Sequence, residues 1–151
     1  PMKQVLIVDD SPQVRKRVAA LLNESSQIHI AGQAGNGREA IEAVEHIRPD
    51  TVVLDIRLPD QNGIALLKRF KADYPQMAVI MLTGHGSVET SIEGMKMGAF
   101  DYLLKPIKLE ELMVKLSEAF EKKDLQEQKI RKARIKELVR FPGRVFQQEK
   151  E

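Results

Sequence analysis

The 151-residue chain contains no cysteine and no tryptophan, and aromatic residues make up only 5% of it. Without cysteine, disulfide bonds, thiolate metal ligands and cysteine nucleophiles are excluded from its chemistry. No apolar run approaches the roughly 20 residues of a membrane-spanning helix. We therefore expect a cytoplasmic protein without a membrane partner, and 42% hydrophobic with 30% charged residues is typical of a globular domain.

Charge is distributed unevenly along the chain. Residues 121–151 hold ten Lys/Arg against six Asp/Glu, whereas the preceding 120 residues hold fourteen against sixteen. Residues 121–141 are rich in helix formers and contain neither glycine nor proline, so we expect the preceding helix to continue to about Arg140. The apolar positions of this extension keep no heptad, which argues against a sustained coiled coil. Because no DNA-binding motif accompanies the basic charge, a solvated helix face is favoured over direct nucleic-acid binding.

Short apolar runs alternate with segments of helical period. Four of the runs are continuous, as in strands covered on both faces, and the second alternates as an edge strand does. The pattern predicts an α/β fold, with a parallel sheet flanked by helices on both faces. The runs are 5–8, 28–34, 52–54, 79–82 and 102–104.

The intervening segments carry helix signals. Ser11 and Pro12 fit an N-cap followed by a proline at the first helical position, and Gly63 opens the third helix. Gly94 should cost the fourth helix about 1 kcal/mol relative to alanine, and we expect that helix, capped by Ser87, to be the weakest. The apolar stripes of the five helices are Val14, Val18, Leu21 and Leu22; Ala40, Val44 and Ile47; Leu66, Leu67 and Phe70; Val88, Ile92 and Met95; and Leu112, Leu116 and Phe120.

Reactive side chains follow four of the five predicted strands. Asp9 and Asp10 follow the first strand, Asp55 ends the third, Thr83 ends the fourth and Lys105 follows the fifth. Ligands of open α/β sheets bind at the carboxyl ends of the strands, so we expect these side chains to converge. Each alone is more often a cap, a turn residue or a solvated lysine, and only the combination favours a functional site.

Three neighbouring carboxylates repel one another, and a divalent cation relieves that repulsion. Mg²⁺ prefers carboxylate oxygens, water and phosphate oxygens, so the cluster predicts a Mg²⁺ site with room for a phosphoryl group. Asp55 is then the candidate nucleophile, because aspartate carboxylates form covalent phosphoryl intermediates. Lys105 and Thr83 would stabilise the charge of the transferred group.

Four motifs together resemble the receiver domain of two-component response regulators: "LIVDDSP", "VVLDIRLPDQNG", "IMLTGHGS" and "GAFDYLLKPI". The resemblance covers about residues 3–121 and implies a flavodoxin-like, doubly wound five-stranded parallel sheet of order 2-1-3-4-5. It implies that Asp55 accepts a phosphoryl group from a histidine kinase. Mg²⁺ would be held by Asp9, Asp10, Asp55 and the backbone carbonyl of Arg57. Lys105 would pair with the phosphoryl group, and the peptide bond between Lys105 and Pro106 would be cis.

The resemblance also implies a conformational switch. Thr83 would move toward the phosphoryl oxygens, and Tyr102 would rotate inward; the alternative for Tyr102 is a half-buried strand tyrosine with its hydroxyl in solvent. The face that carries the fourth helix, fifth strand and fifth helix would change state. That face, or the C-terminal helix, would bind an unknown output protein or a second copy of the chain.

The domain organisation follows from the same resemblance. We expect a receiver domain over residues 1–121, a helical extension over 122–141 and disorder over 142–151. The span from Gly84 to Leu112 resembles receivers of sigma-54 activators, but this sequence contains no GxxxxGK loop and no helix-turn-helix. A stand-alone regulator is favoured, and the alternative is the N-terminal receiver fragment of a sigma-54-dependent activator.

Two other classes use a parallel sheet near phosphate. A Mg²⁺-dependent aspartate-nucleophile phosphatase needs a second aspartate two residues after the nucleophile, where this chain has Arg57, and Asp60 lies too far along the loop. A nucleotide- or flavin-binding protein needs a phosphate-cradling loop after the first strand, where this chain has two carboxylates. Both are less favoured than the receiver, which is a switch and not a metabolic enzyme.

Overall fold

The computed structural model describes residues 2–84, 88–141 and 143. Strands and helices alternate along the chain. The strands are β1 (Lys3–Val8), β2 (Ile28–Ala34), β3 (Thr51–Asp55), β4 (Ala78–Thr83) and β5 (Asp101–Leu104). The helices are α1 (Pro12–Leu22), α2 (Gly37–Ile47), α3 (Gly63–Asp73), α4 (Val88–Lys96) and α5 (Leu109–Arg140). The flavodoxin-like α/β fold is confirmed, as is the long C-terminal helix.

The strands form one sheet of order β2-β1-β3-β4-β5, in which every neighbouring pair is parallel. β2 lies at one edge, as its alternating pattern predicted. Each face of the sheet supports its own apolar cluster: Leu54 and Phe70 belong to one, and Ile80 and Leu112 to the other. Two covered faces explain why the central strands read as continuous apolar runs.

Side-chain caps position three helices. Ser11 precedes Pro12, and its hydroxyl accepts a hydrogen bond from the Val14 amide at 3.3 Å, as predicted. Asn36 and Asn62 cap α2 and α3 in the same way, each through its side-chain oxygen. These caps satisfy amides that have no partner inside the helix, and they fix where each helix starts beside the sheet.

α4 faces the sheet with different residues from those expected. Ser91 and Gly94 are its buried residues, whereas Val88 is 70% exposed and Ile92 51% exposed. The expectation that Val88, Ile92 and Met95 face the core is therefore wrong. A Cβ at Gly94 would press on the sulfur and methyl of buried Met81, so only the small side of α4 can lie this close to β4. The predicted cap Ser87 lies outside the described residues.

The contacts divide the chain into two units, one ending at Phe120 and the other beginning at Glu121. In the first, α5 buries Leu112, Leu116 and Ala119. In the second, its apolar side chains are exposed, including Leu125, Ile130, Ile135, Leu138 and Val139. Within the described part of the chain, no helix has both the length and the hydropathy of a membrane span. The expectation of disorder over 142–151 falls, except for Gly143, outside the described residues.

Candidate functional site

The carboxyl ends of the central strands bring three carboxylates together. Val8 pairs with Leu54 in the parallel β1–β3 register, so Asp9 and Asp55 leave neighbouring strands side by side. Asp9 is fully buried, Asp55 is 5% exposed, and Asp10 is exposed. One oxygen from each carboxylate lies within 4.8 Å of the others. The sequence prediction that these three side chains converge is thus met in the structure.

Lys105 joins the carboxylates from the next loop. Its Nζ lies 2.8 Å from Asp9 Oδ2 and 3.4 Å from Asp55 Oδ2. The Lys105 amide donates to the Thr83 carbonyl at 2.8 Å, which extends the β4–β5 ladder, and the bond to Pro106 is cis. The ammonium therefore bridges two of the three carboxylates.

Burial is the largest influence on the pKa of Asp55, and with the charge of Asp9 it raises that pKa above its usual value. The ammonium of Lys105 and the Arg57 amide oppose the rise without cancelling it. For Lys105, burial alone would lower the pKa, but the hydrogen bond to Asp9 and the charge of Asp55 raise it overall. The lysine therefore stays charged. Its single positive charge does not balance the three carboxylates of the cluster.

Thr83 completes the site on the β4 side. Its side chain is 2% exposed, and its hydroxyl oxygen Oγ1 is buried without a hydrogen-bond partner among the described residues. A buried hydroxyl without a partner costs free energy, and such a group in a native protein calls for an explanation. A ligand that supplies acceptor oxygens next to Thr83 would provide the missing partner.

Arg57 lies in the loop that leaves Asp55. Its amide donates to Asp55 Oδ1 at 3.2 Å, and Arg57 pairs with Asn62 in an isolated antiparallel bridge. Gly63 closes the loop by donating its amide to the Ile56 carbonyl at 2.8 Å. These contacts hold Arg57 near the three carboxylates. That its main-chain carbonyl binds the metal stays a prediction.

Tyr102 is not brought into this cluster. It lies on β5 with 40% of its surface exposed, beside a groove that Leu104, Val114 and Lys115 also line. Tyr102 is therefore an exposed residue of β5. Its inward rotation stays a prediction.

Two further contacts at the cluster were not anticipated. Arg15 Nη1 donates to the Asp9 main-chain carbonyl at 2.6 Å, and the Ser11 amide donates to Asp9 Oδ1 at 2.9 Å. Together they fix the backbone and side chain of Asp9.

The donor set fits a hard divalent cation. Three carboxylates supply oxygen ligands, two of them buried, and among the described residues Lys105 is the lysine that pairs with them. Mg²⁺ typically takes one or two carboxylates and keeps water and phosphate oxygens as its other ligands. Exposed Asp10 leaves the site open toward solvent, as such a cation requires.

The raised pKa of Asp55 gives a stability prediction for the metal-free protein. Because folding favours the protonated form, ionised Asp55 destabilises the fold above its folded-state pKa, and this penalty is lost as the pH falls through that pKa. In EDTA at neutral pH, Asp55→Asn should raise the free energy of unfolding by about 1 kcal/mol, because burial and the charge of Asp9 both disfavour a carboxylate there and the amide is uncharged. The repulsion alone is worth about 1 kcal/mol for two charges 4 Å apart in water. Urea unfolding measures this gain in stability. Saturating Mg²⁺ should reduce the difference in free energy of unfolding between Asp55→Asn and wild type. A less stable Asp55→Asn in EDTA would contradict the prediction.

Comparison with known proteins gives the same answer as the geometry. The family described as "Response regulator receiver domain" matches residues 5–117. The regulatory protein AtoC of Escherichia coli K12 is 34% identical over 128 residues, which are 84% of this chain and 27% of AtoC. The regulatory protein LuxO of Vibrio vulnificus YJ016 is 41% identical over 88 residues, which are 58% of this chain and 19% of LuxO. The likeness to these two regulators confirms the resemblance to sigma-54 activator receivers.

A solved structure supports the same family. The response regulator receiver domain protein from Clostridium thermocellum superposes with a TM-score of 0.78 at 30% identity, covering 83% of this chain and 99% of that chain. The chain spans less than a third of the length of AtoC and of LuxO. The sheet order, the acidic edge and the match over residues 5–117 lead to one conclusion: this chain belongs to the response regulator receiver domain family, a family of two-component signalling domains.

Proposed function

We propose that the chain is a phosphorylation-activated switch in which Asp55 accepts a phosphoryl group from a histidine kinase. The observation that carries the proposal is the buried Asp55 carboxylate beside both Asp9 and the ammonium of Lys105. An acidic cluster alone would suggest cation binding only. The lysine at 3.4 Å adds a group that can stabilise charge on a phosphoryl oxygen.

The transfer step balances in charge and atoms. An Asp55 carboxylate oxygen forms a bond to phosphorus while the P–N bond of the kinase phosphohistidine breaks, and the electron pair returns to the imidazole nitrogen. The Arg57 amide, 3.2 Å from Asp55 Oδ1, orients the nucleophile. Lys105 is already held at the site by Asp9, so it needs no reorganisation to meet the incoming group.

Mg²⁺ would be held by Asp9, Asp10 and Asp55 with the Arg57 carbonyl, and would neutralise charge on the phosphoryl oxygens. Asp9 is positioned for this by Ser11 and by Arg15. Hydrolysis of the acyl phosphate would return the carboxylate, so the chain catalyses its own phosphorylation and dephosphorylation without being a metabolic enzyme.

Thr83 gives the switch its physical basis. Its buried hydroxyl has no partner among the described residues, and phosphoryl oxygens on Asp55 would provide an acceptor. A state that brings Thr83 to those oxygens gains this hydrogen bond only after phosphorylation, so modification shifts the population toward it. Tyr102, on the strand that pairs with β4, would then turn inward.

The face formed by α4, β5 and the first part of α5 is the proposed output surface. It exposes large apolar side chains, and such patches mark sites of protein interaction. They are Val88, Ile92 and Met95 of α4, Tyr102 and Leu104 of β5, and Val114 of α5, with Met97 directly after α4. The partner would be an output protein or a second copy of the chain, which the C-terminal helix could also bind.

The test uses small phosphodonors. Incubation with Mg²⁺ and acetyl phosphate should add the mass of one phosphoryl group to the wild-type chain, and beryllofluoride should shift amide resonances around Thr83. Asp55→Asn should abolish both responses. Asp73→Asn, which changes an exposed aspartate at the end of α3, is the matched control and should respond as wild type.

Adduct formation in Asp55→Asn, or no response in the wild type, would refute the proposal. Sustained turnover of phosphomonoesters by the wild type would favour the aspartate-nucleophile phosphatase instead. Light scattering with and without beryllofluoride, on the whole chain and on a variant ending at Lys122, tests dimerisation and the division into receiver and extension. The stand-alone role, the cytoplasmic location and a bacterial source stay predictions.

A further inference from the structure

Asp60 connects the loop after Asp55 to a distant helix. Its Oδ1 accepts a hydrogen bond from the Gly37 amide at 2.8 Å, and its Oδ2 accepts one from the Arg38 amide at 3.0 Å. Both amides belong to the first turn of α2, more than 20 residues away in sequence. Both carboxylate oxygens are therefore used in one two-point contact.

α2 has its own cap for a different amide. Asn36 Oδ1 accepts from the Glu39 amide at 2.8 Å, and the Glu39 carboxylate accepts from the Gly35 amide at 2.8 Å. Asp60 and Arg38 are exposed, whereas Gly37 is buried. Because Asn36 and Glu39 define the helix start locally, the contact with Asp60 restrains the loop as well as the first turn of α2.

The charge of Asp60 suits this contact. The N-terminus of a helix carries partial positive charge, which favours a carboxylate there. The Gly37 amide is the main reason that the pKa of Asp60 is lowered from its usual value. The Asp60 carboxylate is therefore charged at neutral pH, where it can accept the hydrogen bonds from the Gly37 and Arg38 amides.

The loop is fixed at its root as well as at its tip. The bridge between Arg57 and Asn62 and the hydrogen bond from Gly63 to Ile56 close its base, while Asp60 lies between them. Packing against α2 is close: a Cβ at Gly37 would lie 2.7 Å from the Gln61 side chain. The contact of Asp60 with α2 restrains the tip of the loop. Arg57 lies three residues before Asp60, so its backbone is restrained as well.

We propose that Asp60 is a positioning residue, whose contact with the first turn of α2 holds the loop so that the Arg57 carbonyl can complete the cation site. The inference rests on the proposed function, because it takes Mg²⁺ as the ligand of Asp9, Asp10 and Asp55. Asp60 does not touch the cation or the phosphoryl group. It acts through Arg57, as residues around a metal site orient its ligands.

Magnesium affinity tests the inference directly. Mg²⁺ alone is titrated into wild type, Asp60→Asn and Asp60→Ala, with calorimetry or amide resonances as the readout. Asp60→Ala loses both contacts and should weaken binding about tenfold, within the range for partners of metal ligands. Asp60→Asn keeps one acceptor oxygen, so its Mg²⁺ affinity should lie between those of wild type and Asp60→Ala. If the alanine variant does not fold, the asparagine variant still tests the inference.

The matched control is Asp50→Ala. The Asp50 carboxylate accepts a backbone hydrogen bond too, from the Gln4 amide at 2.7 Å, but it lies before β3, at the opposite end of the strand from Asp55. Asp50→Ala should leave Mg²⁺ affinity within twofold of wild type even where stability falls.

Two results separate the inference from the function on which it rests. If wild type binds Mg²⁺ and folded Asp60→Ala binds it equally well, the positioning role is overturned while the proposed function stands. If wild type itself binds no Mg²⁺, the proposed function fails first. Faster hydrogen exchange at the Gly37 and Arg38 amides in Asp60→Ala, together with weaker Mg²⁺ binding, is the result we expect.

Discussion

Lys105→Met should lower the free energy of unfolding of the metal-free protein by about 3 kcal/mol, because removing one partner of a buried ion pair leaves an uncompensated charge. The methionine keeps most of the side-chain length, so packing changes little. Asp9 is fully buried, and its Oδ2 lies 2.8 Å from the ammonium that the substitution removes. Urea unfolding in EDTA at neutral pH measures the loss.

Magnesium should restore part of that stability. A divalent cation among Asp9, Asp10 and Asp55 compensates the charge that Lys105 no longer neutralises, so Mg²⁺ should stabilise Lys105→Met more than wild type. Phosphorylation by acetyl phosphate should slow strongly in the variant, because stabilisation of the phosphoryl oxygens is lost.

Lys115→Met is the control for Lys105→Met. Lys115 Nζ lies 2.7 Å from Asp101 Oδ2, a pair as short as the one at the site, but both side chains are about a quarter exposed. Water can solvate Asp101 after the substitution, so its stability loss should be much smaller. If Lys105→Met and Lys115→Met lose the same free energy of unfolding, the burial of Asp9 does not increase the contribution of its ion pair to stability.

Gly63→Ala should lower the free energy of unfolding by about 2–3 kcal/mol, in the upper part of the typical range of about 1–3 kcal/mol for forcing extra atoms into a packed site. A Cβ at Gly63 would lie 2.5 Å from Ile56 Cα and 2.6 Å from the Ile56 carbonyl oxygen. These are backbone atoms that cannot rotate away, and Ile56 directly follows Asp55. We therefore also expect slower phosphorylation, since the nucleophile would move with its neighbour.

Gly84→Ala provides the comparison, because a Cβ there meets no atom of the described residues within 4 Å. It should leave stability close to wild type or raise it slightly, since alanine restricts the unfolded chain. Thermal unfolding of both variants is sufficient to compare them. A Gly63→Ala variant as stable as Gly84→Ala would mean that the loop can relax away from α3.

Local patterns were enough for the architecture. Continuous apolar runs, the cap at Ser11 and the alternation of strand and helix predict a parallel sheet, and the structure has these elements at nearly the predicted positions. The site was predictable for a related reason. Side chains that follow parallel strands emerge at the same edge of the sheet, where the strands have their carboxyl ends. Asp9, Asp55 and Lys105 therefore converge irrespective of the loop conformations.

The orientation of α4 was not predictable in this way. Its apolar stripe of Val88, Ile92 and Met95 resembles a core-facing stripe, yet the helix turns Ser91 and Gly94 to the sheet. Helix propensity alone makes Gly94 a defect. The tertiary structure reverses that interpretation, because the glycine allows α4 to pack closely on Met81, while the apolar side of the helix stays exposed.

The sequence by itself determined the fold class, the order of reactive residues and their common edge, because these depend on periodicity and on strand direction. Only the tertiary structure decided which face α4 exposes, that Thr83 keeps a buried hydroxyl without a partner in the described chain, and that Asp60 reaches the first turn of α2. These features depend on contacts between segments far apart in sequence. Packing, burial and hydrogen bonds between such distant segments form only in the folded chain, and no local pattern of residues specifies them.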